Sequence, residues 1–336
     1  MKKLRIGING FGRIGRVAAR IIVSRTDVEL VAINSRSEVE SHAYLLKHDS
    51  THGMFPHAVL AQENSLLVDQ QTITCFREDH PETIPWDSVG VDLVIEASGK
   101  FTKKEDALKH MKPGVSTVII SAPSADADKT IVMGVNEKEF DSSRHKVVSN
   151  ASCTTNCTAV VAHILHTHYG IKRAMMTTIH AATQSQSILD SSSKKDIRGG
   201  RSVLNNIIPA STGASKAVSQ VIPDLEGKLS ALSLRVPVND GSIIDFVAEV
   251  EKSTTVAEIN GLFLEQSKND FSGILSVASQ EIVSSDIIGS PYSAVVDPFL
   301  TSVLGGNLIK VLAWYDNEWG YATRLIDLAN YIGQKL

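Results

Sequence analysis

The chain has 336 residues, of which 43% are hydrophobic and 21% charged, and its formal net charge is −4. These values lie close to the average of soluble globular proteins. The composition excludes a disordered chain and a fibrous repeat protein, and the net charge excludes a dedicated nucleic-acid-binding protein, which would be strongly basic. At about 150 residues per domain, the length predicts two domains with a substantial core. No uninterrupted apolar run approaches the roughly 20 residues that span a bilayer, so we expect no membrane partner.

The cysteine content indicates a reducing compartment. The three cysteines are Cys75, Cys153 and Cys157, and an odd, low count in a chain of this length is not typical of a disulfide framework. Free thiols persist where the surroundings are reducing. We therefore predict a cytoplasmic protein.

The first half of the chain alternates strand and helix patterns. Short apolar runs predict strands at residues 4–8 and 28–34, and apolar residues at helical spacing predict a helix at residues 13–24 between them. Two further apolar strands, at residues 91–96 and 115–121, are separated by a polar helical stretch. This alternation predicts an α/β fold with a doubly wound parallel sheet of the Rossmann type.

Antiparallel strands are predicted in two places. Residues 55–86 are polar, alternating and turn-rich, which is typical of a small antiparallel insert. Later in the chain, residues 228–237 and 243–251 flank a turn signal, and residues 308–315 predict another strand. Few helices separate these later strands. This arrangement of strands predicts an α+β domain with a mixed or antiparallel sheet.

A glycine-rich loop follows the first predicted strand. The residues are GFGRIG at 10–15, which is the G-x-G-x-x-G spacing placed between a strand and a helix. The glycines permit a tight turn and let backbone N–H groups approach a pyrophosphate, and the positive end of the helix dipole faces that anion. The sequence therefore predicts an NAD(P)-binding Rossmann domain over residues 1–151.

The position that distinguishes NAD from NADP lacks its usual carboxylate. The fingerprint places an acidic residue at the end of the second strand, where it binds the ribose 2′-hydroxyl. Here Ser35 stands at that place, with Arg36 beside it. A serine and an arginine could hold a 2′-phosphate that a carboxylate would repel. Alternatively, Arg36 is only solvated and Asn34 binds the ribose of NAD.

Cys153 is the candidate nucleophile. An apolar helical run at residues 159–165 follows it, so it lies near a helix N-terminus. The helix dipole there favours the thiolate, which is the nucleophilic form of cysteine. Lowering the thiol pKa by about two units would make it mostly thiolate at pH 7. We expect Cys75 and Cys157 to be buried packing residues.

His180 is the candidate base. It ends a predicted strand, where catalytic residues commonly lie, although a hydrogen-bonded core histidine is the alternative. Three other histidines, His163, His166 and His168, cluster on one predicted helix. Their spacing does not place them on one face, and no nearby cysteine or carboxylate completes a ligand set. We therefore expect no metal site.

Seven segments of the chain match one known family. They are INGFGRIG at 8–15, HDSTHG at 48–53, SNASCTTNC at 149–157, TTIHA at 177–181, IPASTGASKAV at 208–218, LRVP at 234–237 and WYDNEWGY at 314–321. With them, nearly the whole chain resembles the phosphorylating glyceraldehyde-3-phosphate dehydrogenases. The cysteine segment and the last segment are highly specific.

The resemblance implies a reaction and its mechanism. The reaction is oxidation of D-glyceraldehyde 3-phosphate to 1,3-bisphosphoglycerate with reduction of NAD(P), in glycolysis or gluconeogenesis. By resemblance, the Cys153 thiolate attacks the aldehyde, His180 takes the proton, and inorganic phosphate attacks the thioester that hydride transfer leaves. A histidine of near-neutral pKa could serve both half-reactions.

The resemblance also implies binding residues. Those expected to bind the dinucleotide are Gly10, Gly12, Arg13, Ile14, Asn34, Ser35, Ser98, Gly99, Ser121 and Asn317. Those expected to hold the substrate phosphate are Thr183 and Arg235. Those expected to hold the attacking phosphate are Ser152, Thr154, Thr212 and Gly213. Hydroxyls, backbone N–H groups and arginine are suitable phosphate ligands.

Two positions depart from the NAD-specific members of the family. Those members carry aspartate where this chain has Ser35, and many carry proline where it has Ser192. Members that use NADP look similar at both positions, so the resemblance implies NADP tolerance or preference. A one-residue length difference leaves the alignment of residues 191–201 open. We therefore assign no role to Arg198 or Arg201.

The resemblance further implies the domain plan and the assembly. Residues 152–316 are expected to form the catalytic domain, and a helix within 317–336 is expected to pack back onto the first domain. The loop at 182–205 resembles the family's S-shaped loop, which lies between subunits, so we expect a homotetramer.

Two other functions compete with this interpretation. Erythrose-4-phosphate dehydrogenases share the cysteine segment but depart from STGASKA at 211–217, where this chain keeps the glyceraldehyde-3-phosphate pattern. Nucleic-acid binding in the cofactor cleft has no support from the net charge. Activity of a Cys153→Ser variant separates an enzyme from a binding protein.

Overall fold

A computed structural model describes residues 3–193 and 196–336. The chain divides into two compact units. The first comprises residues up to 131 together with 137–151 and 322–336, and the second comprises 132–136 and 152–321. Lys194 and Lys195, in the loop predicted at 182–205, lie outside the described residues.

The first unit is built on a nine-stranded sheet. Strands of this unit are β1 (Leu4–Asn9), β2 (Val28–Asn34), β3 (His48–Asp49), β4 (Gly53–Met54), β5 (Val59–Gln62), β6 (Ser65–Val68), β7 (Gln71–Phe76), β8 (Leu93–Glu96), β9 (Thr117–Ile120), β10 (Lys129–Thr130) and β11 (Val147–Ser149). The sheet order is β10-β11-β9-β8-β1-β2-β7-β6-β5, and β3 pairs with β4 separately. The helices are α1 (Arg13–Val23), α2 (Val39–Lys47) and α3 (Lys104–Ala107).

Most of this sheet is parallel. Neighbouring strands from β10 through β7 all pair in parallel. Strands β7, β6 and β5 then form an antiparallel meander, which confirms the insert predicted at 55–86. Every residue of β8 and β9 is buried. This is expected for the inner strands of a parallel sheet, because both faces of such a sheet are covered. The predicted Rossmann-type fold class is confirmed.

The second unit contains a mixed eight-stranded sheet. Its strands are β12 (Ile171–Ala181), β13 (Ile208–Ala210), β14 (Leu229–Val236), β15 (Ser242–Val250), β16 (Leu275–Val277), β17 (Ala294–Val296), β18 (Ser302–Leu304) and β19 (Leu308–Tyr315). The order is β13-β14-β12-β15-β19-β17-β16, with β18 also on β19. Strand β12 runs parallel to β14 and antiparallel to β15, which confirms the predicted mixed sheet. The helices are α4 (Cys153–Tyr169), α5 (Ala214–Val221) and α6 (Val256–Lys268).

The last helix, α7 (Trp319–Gly333), belongs mainly to the first unit, which includes the chain from Ala322 onward. Leu325 and Ile332 are fully buried, and Arg25 donates to the Asp327 carboxylate at 2.5 Å. The helix therefore contributes both apolar burial and an ion pair to that unit. No helix in the described parts of the chain is both long and apolar enough to cross a membrane.

Candidate active site

Candidate cofactor residues gather at one edge of the first sheet. Asn9, the last residue of β1, pairs with Asn34 at the end of β2 and with Glu96 at the end of β8. The last residue of β9 pairs with Glu96 in turn. The predicted residues at or just beyond these strand ends are Gly10, Gly12, Arg13, Ile14, Asn34, Ser35, Ser98, Gly99 and Ser121. Ligands of open α/β sheets bind outside this carboxyl edge.

The loop glycines serve two different purposes. Gly10 has φ +95°, and a Cβ added there would lie 2.4 Å from the Ser98 backbone nitrogen. A Cβ on Gly15 would lie 2.1 Å from the Gly10 oxygen. At Gly12, by contrast, an added Cβ would meet no atom within 4 Å from the described residues beyond its immediate chain neighbours. Gly10 and Gly15 are therefore required by the fold, whereas Gly12 leaves open space for a ligand.

The N-terminus of helix α1 lies at that space. Its N-cap is Gly12, which has no side chain for capping, and its first turn contains no acidic residue. Orphan N–H groups at a helix start, with the positive dipole end, suit a phosphate. Arg13, in the same turn, pairs with Asp49 at 2.6 Å. The residues present thus fit a dinucleotide pyrophosphate.

Two glycine variants separate folding from binding at this loop. We expect Gly12→Ala to change the free energy of unfolding by no more than about 0.5 kcal/mol and to weaken NAD binding at least about tenfold, because the Cβ enters the ligand space. We expect Gly10→Ala to cost about 2–4 kcal/mol, from backbone strain and a backbone clash. Denaturant melts and calorimetric titration with NAD measure both. Unchanged NAD affinity in Gly12→Ala would contradict the assignment.

A buried polar network fixes the strand ends. The Glu96 carboxylate accepts from the Asn9 amide at 2.5 Å and from the Ser98 backbone at 2.8 Å, and it contacts His110 at 2.9 Å. Asn34 donates to Asn9 at 2.8 Å and accepts from the Glu78 backbone at the same distance. Both ends of the Asn34 amide therefore bond to protein. Direct ribose binding by this side chain stays a prediction, for which the oxygen keeps one lone pair.

Two arginines flank Ser35. The Ser35 backbone donates to Phe76 at 3.1 Å, because β7 pairs beside β2. Arg77 follows Phe76, is exposed, and donates to the Arg36 carbonyl at 3.0 Å and to Glu38 at 2.7 Å. Arg77 is not among the predicted residues, since nothing in its local sequence indicates that β7 lies next to β2. Ser192 is exposed in its loop.

The second unit brings the predicted nucleophile and base together. Cys153 is the first residue of α4, whose N-cap Ser152 accepts from the Thr155 backbone at 3.1 Å. His180 stands one residue before the end of β12. The Cys153 Sγ lies 3.4 Å from the His180 Nε2. Cys153 as a residue is half-buried, whereas His180 is buried.

Burial changes the expected protonation of this pair. Burial, and secondarily the Arg235 charge, lower the pKa of His180 to about 4. Burial also raises the pKa of Cys153, although Arg235 opposes this effect. The sequence-based expectations were a lowered thiol pKa and a near-neutral histidine, and burial acts against both. Loss of water around the two groups disfavours the charged form of each and so opposes the helix dipole at Cys153.

Tyr315 supports the pair from β19. Its hydroxyl lies 3.0 Å from the Thr154 Oγ1 and 2.8 Å from the Thr178 Oγ1. Its ring packs edge-on to His180, with centroids 5.9 Å apart. The Thr154 hydroxyl is thus engaged in the core, and its role toward phosphate stays a prediction. Sequence reasoning did not single out Tyr315, although it stands within the WYDNEWGY segment.

Arg235 reaches the far side of the imidazole. Strands β12 and β14 place it directly opposite His180. Its Nη1 lies 2.7 Å from the His180 Nδ1 and 3.1 Å from the Ala181 oxygen. This contact arises from a parallel pairing of strands far apart in the chain, which periodicity does not reveal.

The remaining predicted residues of the second unit have local partners. The exposed Thr183 hydroxyl lies 2.8 Å from the Ser185 hydroxyl. Thr212 accepts from the Ala214 backbone at 3.2 Å, and Gly213 is the N-cap of α5. The Asn317 Oδ1 accepts from the Ser242 hydroxyl at 2.6 Å.

Fold and site together define a dinucleotide-binding α/β protein with a cysteine–histidine centre. The family model "Glyceraldehyde 3-phosphate dehydrogenase, NAD binding domain" matches residues 4–104, and "Glyceraldehyde 3-phosphate dehydrogenase, C-terminal domain" matches residues 152–317. The chain belongs to the glyceraldehyde-3-phosphate dehydrogenase family, as its motifs predict.

Curated relatives match along nearly their full length. "Glyceraldehyde-3-phosphate dehydrogenase 1" of Bacillus cereus is 47% identical over 331 residues, which cover 98% of this chain and 99% of the relative. "Glyceraldehyde-3-phosphate dehydrogenase" of Geobacillus stearothermophilus is 46% identical over 332 residues, covering 99% of each. The protein of the same name from Chlamydia pneumoniae is 48% identical over 330 residues, covering 98% of each.

Proposed function

We propose that the protein oxidises D-glyceraldehyde 3-phosphate to 1,3-bisphosphoglycerate, using NAD or NADP and inorganic phosphate, in glycolysis or gluconeogenesis. The observation that carries the proposal is the 3.4 Å approach of the Cys153 Sγ to the His180 Nε2. A thiol in contact with a base is the arrangement of covalent catalysis by cysteine. The relatives' names support the substrate.

The first half-reaction needs one nucleophile and one base. The Cys153 sulfur bonds to the aldehyde carbon, and the thiol proton passes through His180 to the carbonyl oxygen, giving a hemithioacetal. The nicotinamide, when bound, supplies the acceptor for the hydride that leaves this carbon. His180 takes the hydroxyl proton as the thioester carbonyl forms. A neutral imidazole is the form that can accept it.

The second half-reaction regenerates the thiol. An oxygen of inorganic phosphate attacks the thioester carbonyl, the carbon–sulfur bond breaks, and the Cys153 thiolate leaves with an acyl phosphate as product. The thiolate takes up the proton that the attacking phosphate loses, and the proton held by His180 passes to solvent. The thioester retains free energy for this transfer, whereas a free carboxylate would not. Arg235 and Thr183 are the proposed ligands of the substrate phosphate. Ser152, Thr154, Thr212 and Gly213 are proposed for the attacking one.

Spectrophotometry tests this function. The assay follows cofactor reduction with glyceraldehyde 3-phosphate in the presence and absence of inorganic phosphate. Sustained reduction that depends on phosphate supports the proposal. Turnover of erythrose 4-phosphate in its place would assign the chain to the sister activity, and no turnover of either would refute the proposal.

We infer that NADP is accepted alongside NAD. The match to an NAD-binding family model supports a nicotinamide dinucleotide. At the ribose position, the half-buried Ser35 stands where a carboxylate would repel a 2′-phosphate. Arg36 and Arg77 lie beside it, near the exposed carboxylates of Asp79 and Glu38 respectively. Hydroxyl and guanidinium donors suit a 2′-phosphate.

Ser35→Asp tests this inference. We expect kcat/KM for NADP to fall at least about tenfold relative to that for NAD, because the new carboxylate repels the 2′-phosphate. Ser37→Asp, at an exposed position two residues on, is the matched control and should leave the ratio unchanged. Steady-state kinetics with both cofactors measure the ratio. A wild-type preference for NAD of a hundredfold or more would overturn the inference.

We propose a homotetramer, as the resemblance implies. The segment at 182–207 exposes five large aliphatic side chains: Ile188, Leu189, Ile197, Leu204 and Ile207. Ile197 is 90% exposed. Such apolar exposure is typical of a surface that another chain covers. Light scattering on the purified protein measures the assembly. The cytoplasmic location stays a prediction from the cysteine content.

A further inference from the structure

The Glu96 carboxylate lies at the centre of the carboxyl edge of the first sheet. Glu96 ends β8 and is buried. Its Oε1 accepts from the Ser98 backbone at 2.8 Å and from the Ser98 hydroxyl at 2.5 Å. Its Oε2 accepts from the Asn9 amide at 2.5 Å and lies 2.9 Å from the His110 Nε2. Its backbone oxygen accepts from the Ser121 nitrogen at 2.9 Å. One residue therefore connects the ends of β1, β8 and β9.

The Asn9 amide is held as a donor to Glu96 by a backbone group further along the sheet edge. The Glu78 N–H, which can only donate, lies 2.8 Å from the Asn34 Oδ1. The donor end of the Asn34 amide therefore faces the Asn9 Oδ1, at 2.8 Å. The donor end of Asn9 is then left for the Glu96 Oε2. The direction of this hydrogen-bond chain is thus set by geometry from Glu78 to Glu96.

A second donor to the same oxygen is set by Trp86. The Trp86 indole N–H, which can only donate, lies 3.1 Å from the His110 Nδ1, and both side chains are fully buried. The His110 Nδ1 is therefore the acceptor, and its Nε2 carries a hydrogen toward the Glu96 Oε2. The Oε1 faces the Ser98 backbone N–H, which also only donates. Both ends of the Glu96 side chain must therefore be acceptors, which a carboxylate provides and an amide does not.

The two backbone segments that Glu96 holds lie directly against the glycine loop. A Cβ added to Gly10 would lie 2.4 Å from the Ser98 nitrogen. The Ala97 nitrogen donates to the oxygen of Asn9, the residue before Gly10, at 2.7 Å. Packing this close leaves no slack, so a displacement of Ser98 or Asn9 moves the start of the loop that leads into α1.

We propose that Glu96 is a positioning residue for the dinucleotide. Its carboxylate holds the Ser98 backbone and, through Asn9, the start of the glycine loop in the arrangement that binds the pyrophosphate. Glu96 acts through these neighbours, because both of its carboxylate oxygens already accept hydrogen bonds from protein groups. This inference rests on the proposed function, since the ligand is the nicotinamide dinucleotide proposed there.

Glu96→Gln tests this role with a diagnostic sign. Its N–H2 group faces two N–H donors at the Oε2 position and the Ser98 N–H at the Oε1 position, so at least one donor loses its acceptor. We expect the Kd and the KM for NAD to rise at least about tenfold, while kcat at saturating NAD stays within about threefold of wild type. If Glu96 acted only through its charge, its loss would instead tighten binding of the anionic dinucleotide. Calorimetric titration with NAD measures the Kd.

Amide hydrogen exchange measures the same contact in the ligand-free protein, by mass spectrometry of overlapping peptides that isolate Ser98. In the wild type, we expect the Ser98 amide to exchange at least about 100-fold more slowly than an unprotected amide. In Glu96→Gln, we expect its exchange to be at least about tenfold faster than in the wild type. Glu29→Gln is the matched control: Glu29 lies near the opposite end of β2, where it pairs with Arg5 at 3.3 Å. It should change neither NAD affinity nor the exchange of Ser98.

Unprotected exchange of the Ser98 amide in the wild type would overturn the proposal, as would NAD binding by Glu96→Gln at or above wild-type affinity. A lower melting temperature with unchanged NAD affinity would show a purely structural role and overturn it as well. If Glu96→Gln fails to fold, Asn9→Ser decides: it removes one donor to Oε2 and should weaken NAD binding at least about threefold. None of these measurements requires turnover. A wild type that binds NAD but oxidises no aldehyde would refute the proposed function and leave the role of Glu96 intact.

Discussion

Replacing Cys153 with serine is expected to reduce kcat at least about a thousandfold. A serine hydroxyl has a far higher pKa than a thiol, and the His180 imidazole, with a pKa near 4, is too weak a base to compensate. An ester at this position would also transfer its acyl group to phosphate less readily than a thioester. Assay of phosphate-dependent cofactor reduction measures the loss.

Cys157→Ser is the matched control for this variant. Cys157 lies one turn later in α4, fully buried, with its Sγ 3.9 Å from the Ala313 oxygen. A buried hydroxyl there should cost about 1–3 kcal/mol of stability, but kcat should stay within about threefold of wild type. Comparable activity of Cys153→Ser and wild type would contradict the nucleophile assignment.

Replacing His180 with glutamine is expected to lower kcat about 10²–10⁴-fold, the usual contribution of a positioned base. Glutamine has a comparable size and hydrogen-bonding groups but cannot take up a proton. His168→Gln, at an exposed position of α4, should leave kcat unchanged and controls for loss of a histidine. Full activity in His180→Gln would show that another group accepts the proton.

The pH dependence of kcat/KM in the wild-type protein also tests the protonation state of His180. Because the pKa of His180 is lowered to about 4 in the free protein, the imidazole is neutral at and above pH 5.5. We therefore expect the acid limb of kcat/KM, which reports the free enzyme, to lack an inflection at the ordinary histidine value near 6.5. An inflection near 6.5 that disappears in His180→Gln would contradict the burial argument.

Local sequence patterns predicted the elements and the chemistry-bearing residues. Apolar periodicity placed β1, α1, β2 and β19 within a residue or two of their observed bounds, because each buries one face or both. The glycine loop was recognisable from the sequence because the backbone at Gly10 has a positive φ and approaches the Ser98 backbone closely. Glycine is the residue type that tolerates both. Cys153 and His180 were singled out from their places at a helix start and a strand end.

Properties that depend on sheet order could not be predicted. The pairing of β12 with β14 puts Arg235 against His180, and that of β2 with β7 puts Arg77 beside Ser35. Both pairings join segments distant in sequence. The effect of burial on the pKa values could not be predicted for a related reason: the helix dipole at Cys153 is a local feature, whereas the burial that opposes it comes from the fold of the unit.

The most direct test of the account is mass spectrometry of the protein during turnover without inorganic phosphate. With glyceraldehyde 3-phosphate and NAD, followed by an acid quench, we expect one acyl group on the peptide that contains Cys153. Adding phosphate before the quench should remove it, and Cys153→Ser should never acquire it. Cofactor reduction without an adduct on Cys153, or an adduct that phosphate leaves in place, would contradict the proposed thioester mechanism.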